Sequence, residues 1–321
     1  MLYNPADLKN KDVLIENALN SPMIDLKKLR QYTWCGVPHH HRNKIYRLLF
    51  EVNSLQNSTY HKEIIENNNV YFQKILNVNE ISGSSSCYVS HMQFKVDIDR
   101  KIAKQIEIDV DRIPSQHLVY NNISLQFIYA NILKVVAKRR PAIGYVQGMA
   151  DLLIPLIEIY KNEFFVESTV YATFSKLLDT FQDYFVDGQQ GITKAIKKFK
   201  KILRMVDPIL YTHIINIGLE LHMFAFRWFN CLFVREFKIE YYLLFLDSML
   251  ATSNYELFVI YFAVSLIVNL RKEILSRDFN DVLLFLQSLN ELDWEYTELK
   301  ILFASVYVNV NVFEEKFYYE F

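Results

Sequence analysis

Seven glycines and seven prolines in 321 residues leave this chain few places to turn sharply. A β-sandwich or barrel needs a turn every ~8–12 residues, built from such residues. Their scarcity argues for helices joined by loops. The hydrophobic share, 51%, is enough for one large core or for two lobes.

Apolar spacing bears this out. Ile192, Ile196, Phe199, Leu203 and Val206 recur at steps of four and three, which predicts a helix over 192–206. Similar patterns predict helices over 39–53, 60–76, 123–138, from Gln147 through a kink at Pro155, and over 167–181. Others follow over 222–236, 239–251, 255–276, 278–290 and 295–308. Residues 87–105 lack a clear period and receive no assignment. The apolar run from Leu257 to Val268 falls short of the ~20 residues of a bilayer span, so it reads as a helix buried on all sides. The chain reads as all-α and two-lobed. Residues 1–28 form a flexible polar lead-in, and the domain proper is 29–321. Its N-terminal lobe covers about 29–165 and its C-terminal lobe about 166–321.

Net charge is −1, so no whole-molecule positive field draws in nucleic acid or an anionic membrane. Cys35, Cys87 and Cys231 are widely separated and form no Cys-x-x-Cys pair, so they read as thiols of a reducing compartment. The start, Met1 to Asn10, has no apolar run of the kind a signal peptide needs. Asn57-Ser-Thr and Asn122-Ile-Ser read as chance matches to the glycosylation pattern. Three adjacent histidines, His39 to His41, do not project to one point, so they read as a solvated loop and no metal site is expected. Lys197 to Lys201 read as the solvated face of the 192–206 helix. Arg227, set in an aromatic stretch, needs a partner, for which Asp247 is the candidate.

Two segments carry chemistry. One is Ile106-Glu-Ile-Asp109-Val-Asp-Arg112; the other is Gly144-Tyr145-Val-Gln147-Gly148. They present a guanidinium and a carboxamide at loops or loop edges. A guanidinium offers a planar, permanently charged fork for phosphate oxygens. A carboxamide offers a donor and an acceptor together, as alignment of a water requires. The pair suits stabilisation of charge at a nucleotide phosphate held by another protein.

With Leu29-Arg-x-x-x-Trp34-x-Gly36-Val-Pro38-x-x-x-Arg42, these segments stand in a recognisable order. The chain resembles the TBC domain family of GTPase-activating proteins for Rab/Ypt small GTPases over nearly its whole length. Ile106-x-x-Asp109-x-x-Arg112 is similar to that family's arginine-finger motif, and Gly144-Tyr145-Val-Gln147-Gly148 to its glutamine-finger motif. Arg140-Pro-Ala, Ser175 to Asp179, Phe224 to Trp228 and Arg271-Lys-Glu are similar to the Golgi-associated branch.

The resemblance implies an activator that is not itself an enzyme. Arg112 and Gln147 would be the catalytic groups, supplied in trans. Asp109, Arg42, Tyr145, Gly144 and Gly148 would support them or meet the GTPase, with Arg42 as the expected partner of Asp109. It implies no cofactor of its own, since GTP and Mg2+ belong to the partner. The partner would be a GTP-bound Rab/Ypt protein, with no nucleic acid, and membrane association peripheral at most. The place of action would be cytoplasmic, on Golgi or other endomembranes. Tyr46, Thr169, Ala172 and Leu246 depart from the family's usual residues. The alternative is a TBC-like Rab-binding or scaffold module without activity.

Overall fold

A computed structural model describes residues 5–75, 96–121 and 123–317. The chain divides into two compact units. The first holds Lys11–Tyr32 and Val37–Gly188. The second holds the start of the first helix, Thr33–Gly36 and the chain from Gln189 onward.

In chain order the helices up to Gly188 are α1 (Pro5–Leu19), α2 (Leu26–Thr33), α3 (His39–Leu49), α4 (Tyr60–Asn69), α5 (Arg100–Asp111), α6 (Ser115–Leu118), α7 (Gln126–Arg139), α8 (Met149–Tyr160), α9 (Val166–Thr180) and α10 (Gln182–Phe185). A π-helical turn, Val70–Ile75, extends α4. Strands β1 (Val119–Tyr120) and β2 (Ile123–Ser124) pair antiparallel between α6 and α7. Apart from this pair and a single bridge between Met23 and Gln56, the regular structure of the described residues is helical, as the glycine and proline count predicts.

Residues 11–28 are no loose lead-in. Ile15, Leu19 and Ile24 are buried. Ile24 donates its N–H to the Leu55 carbonyl at 2.9 Å, and Asn57 donates to that of Pro22 at 3.0 Å. The side chain of Asn57 donates again to the carbonyls of Leu19 and Ser21. Helix α1 thus buries Ile15 and Leu19 while Val13 and Leu14 stay exposed, and a composition reading of 1–28 misses that buried side.

The lobe boundary also moves, from 165 to Gly188. Helix α9 packs against α4, α7 and α8 of the first unit. Its Glu167, wholly buried, accepts hydrogen bonds from Tyr71 Oη at 2.7 Å and Asn131 Nδ2 at 3.4 Å. Burial pushes the Glu167 carboxyl up to about 8, so it is a neutral acid across much of the ordinary pH range. Tyr46, which departs from the family pattern, fills a fully buried place on α3 beside Phe50.

The second unit contains α11 (Gln190–Val206), α12 (Pro208–Asn216), α13 (His222–Asn230), α14 (Ile239–Leu250), α15 (Tyr255–Asn269), α16 (Arg271–Leu275), α17 (Phe279–Gln287) and α18 (Tyr296–Phe317). Helix α15 is its axis: every residue from Phe258 to Ile267 is buried. Neighbours α11, α14 and α18 pack on it. No described helix is long and apolar enough to cross a membrane. Trp34 belongs to this unit and packs edge-on against Phe258 (ring centroids 5.9 Å) and Tyr307 (5.2 Å). The adjacent Cys35 N–H donates to Ser248 Oγ at 3.1 Å.

Two expectations change here. The helix over 255–276 breaks at Leu270 into α15 and α16. The helix over 222–236 ends at Asn230, and the chain turns back through Leu232 and Phe233, both at positive φ. The turn brings Glu236 to Arg227: Nε meets Oε1 at 2.7 Å and Nη2 meets Oε2 at 2.6 Å. Glu236, not Asp247, therefore answers the Arg227 guanidinium through this bidentate fork.

Candidate functional site

Helix α5 starts where Asp99 Oδ1 caps the N–H groups of Lys101 and Ile102. It buries Ile106, Asp109 and Val110. Lys134 on α7 reaches Glu107 at 2.9 Å, tying the two helices. Pro114 cannot continue the helix, and Ile113 turns inward as an anchor. Arg112 is left at the end of the last turn with 65% of its side chain exposed. Its Nη1 lies 3.6 Å from Asp109 Oδ1, as the three-residue spacing on one helix face allows.

The second loop runs from the end of α7 to the start of α8. Arg140 clamps its beginning, with Nη1 on Asp179 at 2.5 Å and Nη2 on the Ser175 carbonyl at 3.2 Å. Gly144 donates its N–H back to the Arg140 carbonyl at 2.7 Å. Its φ of +62° is one that a side chain disfavours. Gly148, buried and at φ +100°, precedes Met149, the first residue of α8. Between these glycines Tyr145 donates its phenol to Asp109 Oδ2 at 2.7 Å. Gln147 is exposed two residues further on.

One buried carboxylate thus joins both segments. Asp109 takes Tyr145 on one oxygen, and on the other it takes Gln105 Nε2 at 3.0 Å and the more distant Arg112. Desolvated on its own, that charge would be costly, and the three donors offset the cost. The sequence reading missed Gln105, although its place four residues before Asp109 is the signal for a same-face pair. It also missed the pairs Glu107–Lys134 and Arg140–Asp179, because sequence spacing does not encode contacts between helices. Arg42 is buried in the first turn of α3.

The histidines depart from expectation. They form the first turn of α3 rather than a solvated loop. His40 Nε2 and His41 Nε2 lie 3.0 and 2.8 Å from the same Asp12 oxygen. Burial first, and the adjacent His40 second, lower the basicity of His41, and Asp12 opposes them.

The chain matches the Rab-GTPase-TBC domain over residues 39–275. It is 28% identical over 312 residues to the GTPase-activating protein gyp1 of Schizosaccharomyces pombe, covering 90% of this chain and 59% of that protein. It is also 28% identical to human TBC1 domain family member 22B, covering 90% of this chain and 59% of that one. The chain therefore spans about three-fifths of these relatives. In fold it is similar to the crystal structure of the Ypt/Rab-GAP domain of Gyp1p, with a TM-score of 0.83 and 24% identity, over 95% of this chain and 99% of that one. With nearly three-quarters of its residues inside the matched domain, this chain belongs to the Rab-GTPase-TBC domain family.

Proposed function

We propose that this chain accelerates GTP hydrolysis on a Rab/Ypt GTPase by lending it Arg112 and Gln147. The partner brings GTP and Mg2+. In phosphoryl transfer of this kind, charge gathers on the bridging and γ oxygens, and a water must be held in line. Arg112 supplies the missing positive fork and Gln147 orients the water. The observation that carries this reading is the shared Asp109 carboxylate. It braces the exposed Arg112 and, through Tyr145, the loop that bears Gln147. We infer that the chain acts peripherally at the cytoplasmic face of the Golgi or another endomembrane.

Single-turnover hydrolysis across a panel of Rab proteins tests this. An arginine finger contributes ~10³–10⁵ in rate, or about 4–7 kcal/mol of barrier. Arg112→Ala should therefore slow the best substrate at least ~10²-fold, and Arg112→Lys should recover little, since an ammonium lacks the fork. Gln147→Ala should also slow it, with binding of the GTP-bound partner kept. Equal rates for Arg112→Ala and wild type end the catalytic reading. Binding without acceleration by wild type favours the module without activity.

A further inference from the structure

Helix α11 carries Lys194, Lys197, Lys198, Lys200, Lys201 and Arg204, and no acidic residue. All six cations are exposed. At 100° per residue they fall within roughly 160° of the helix circumference. The opposite side, with Ile192, Ala195, Ile196, Phe199, Ile202 and Leu203, is buried, and this fixes the cations outward. Lys198 has Glu256 at 4.0 Å, and Asp207, just past the helix, is held by Arg271 at 2.7 Å. Two apolar side chains stand at the same end: Met205 is 50% exposed and Ile209, on α12, is 64% exposed.

We propose that this face docks on an anionic lipid surface. The chain's net charge of −1 gives no long-range pull, so the attraction is local and acts within about 8 Å, the Debye length at physiological salt. Five of the six cations are lysines, compact charges suited to a diffuse layer of lipid phosphates and carboxylates. The exposed face of α11 holds no aromatic ring. Protein interfaces favour aromatics and arginine at the expense of lysine, and single-stranded nucleic acid needs rings to stack on. Lysine stems can lie along the acyl boundary with their heads among phosphates, while Met205 and Ile209 enter below them. The inference rests on the peripheral endomembrane placement proposed above, but not on Arg112 or Gln147.

Vesicle co-sedimentation of the full chain tests it. One vesicle is phosphatidylcholine alone, and the other has one third phosphatidylserine. Wild type should pellet with the anionic vesicle, release as salt is raised, and ignore the neutral one. Replacing Lys197, Lys198, Lys200 and Lys201 by alanine should weaken binding at least ~10²-fold. Replacing Met205 and Ile209 by serine, at unchanged charge, should weaken it about 10-fold. Both variants should keep the wild-type thermal midpoint, because the altered side chains are exposed. No binding by wild type, or equal binding by the alanine variant, overturns the proposal. So does retention by single-stranded RNA but not by the anionic vesicle. Hydrolysis in solution reports on the catalytic reading separately: the alanine variant should match wild type there, while Arg112→Ala should bind vesicles normally.

Discussion

The Tyr145 phenol donates to Asp109 Oδ2 at 2.7 Å, across 36 positions of sequence. Tyr145→Phe removes that donor and keeps the ring. About 1.5 kcal/mol of stability should go with it, the low end for a hydrogen bond to a charged acceptor because Tyr145 is only partly buried. If Tyr145 positions the glutamine loop, the saturating hydrolysis rate on a Rab should drop ~10-fold while apparent affinity holds. Lost affinity at an unchanged saturating rate would make Tyr145 a partner contact instead.

Gly144 sets the direction of the same loop. A methyl group built there meets nothing within 4 Å, so the cost of Gly144→Ala is conformational alone. At φ +62° that cost is about 1 kcal/mol, and Gly144→Asn should cost less, since asparagine tolerates this region. Urea midpoints of the three proteins check the order. A loss of several kcal/mol for alanine would mean a clash that this geometry lacks.

Arg227 answers a glutamate with 0% of its side chain exposed. Burial raises the basicity of that carboxylate and the guanidinium opposes the rise. Arg227→Met strands the charge and should destabilise by about 2 kcal/mol, a figure moderated because Arg227 is itself 32% exposed. Adding Glu236→Leu should recover most of the loss. Equal melting of single and double variants would contradict the pairing.

Glu167 makes stability depend on pH. Unfolded, it ionises near 4.5; folded, burial holds it to about 8. Between these values the unfolded chain releases a proton that the native state keeps. The contribution of this group is therefore full below about 4.5 and is lost as pH rises toward about 8, by at most ~1.4 kcal/mol per unit. Glu167→Gln keeps the shape and removes the titration. Its melting temperature relative to wild type should climb from about pH 5 to about pH 8. A difference that stays flat with pH would mean the native carboxyl ionises normally.

What could be read in advance followed the range of the interaction. Helix α11 was legible because one broad apolar stripe, Ile192 to Val206, sets its rotation without help from the rest of the chain. Helix α5 was not legible: its first six residues fall within 87–105, a stretch that lacks a clear period and lies outside the described residues up to 95, and Asp109 finds Tyr145 only beyond two further helices. The Arg227 partner was misread for a related reason. Had α13 run on to 236, nine residues at 100° each would have turned Glu236 to the far side of the helix. The reversal at Leu232 and Phe233 carries no glycine or proline to announce it. Arg112, Gln147, Asp109, Tyr145 and the two glycines were legible as a motif, and the structure adds the bonds that join Tyr145 and Arg112 to Asp109. The histidine turn meets Asp12, which comes from the segment that reads as a polar lead-in.

The membership of Thr33–Gly36 in the second unit constrains how that unit can be born. Trp34 leaves the ribosome long before Phe258 and Tyr307, the rings it rests on, have been made. Until then the indole has no seat, and the later helices, once synthesised, stay open on that flank until the early segment returns. Closing so long a loop costs only slightly more entropy than closing a shorter one, but it defers completion to the end of translation. A fragment beginning at Gln189 would lack its plug, and supplying a Thr33–Gly36 peptide in trans would have to replace what covalent linkage gives for nothing.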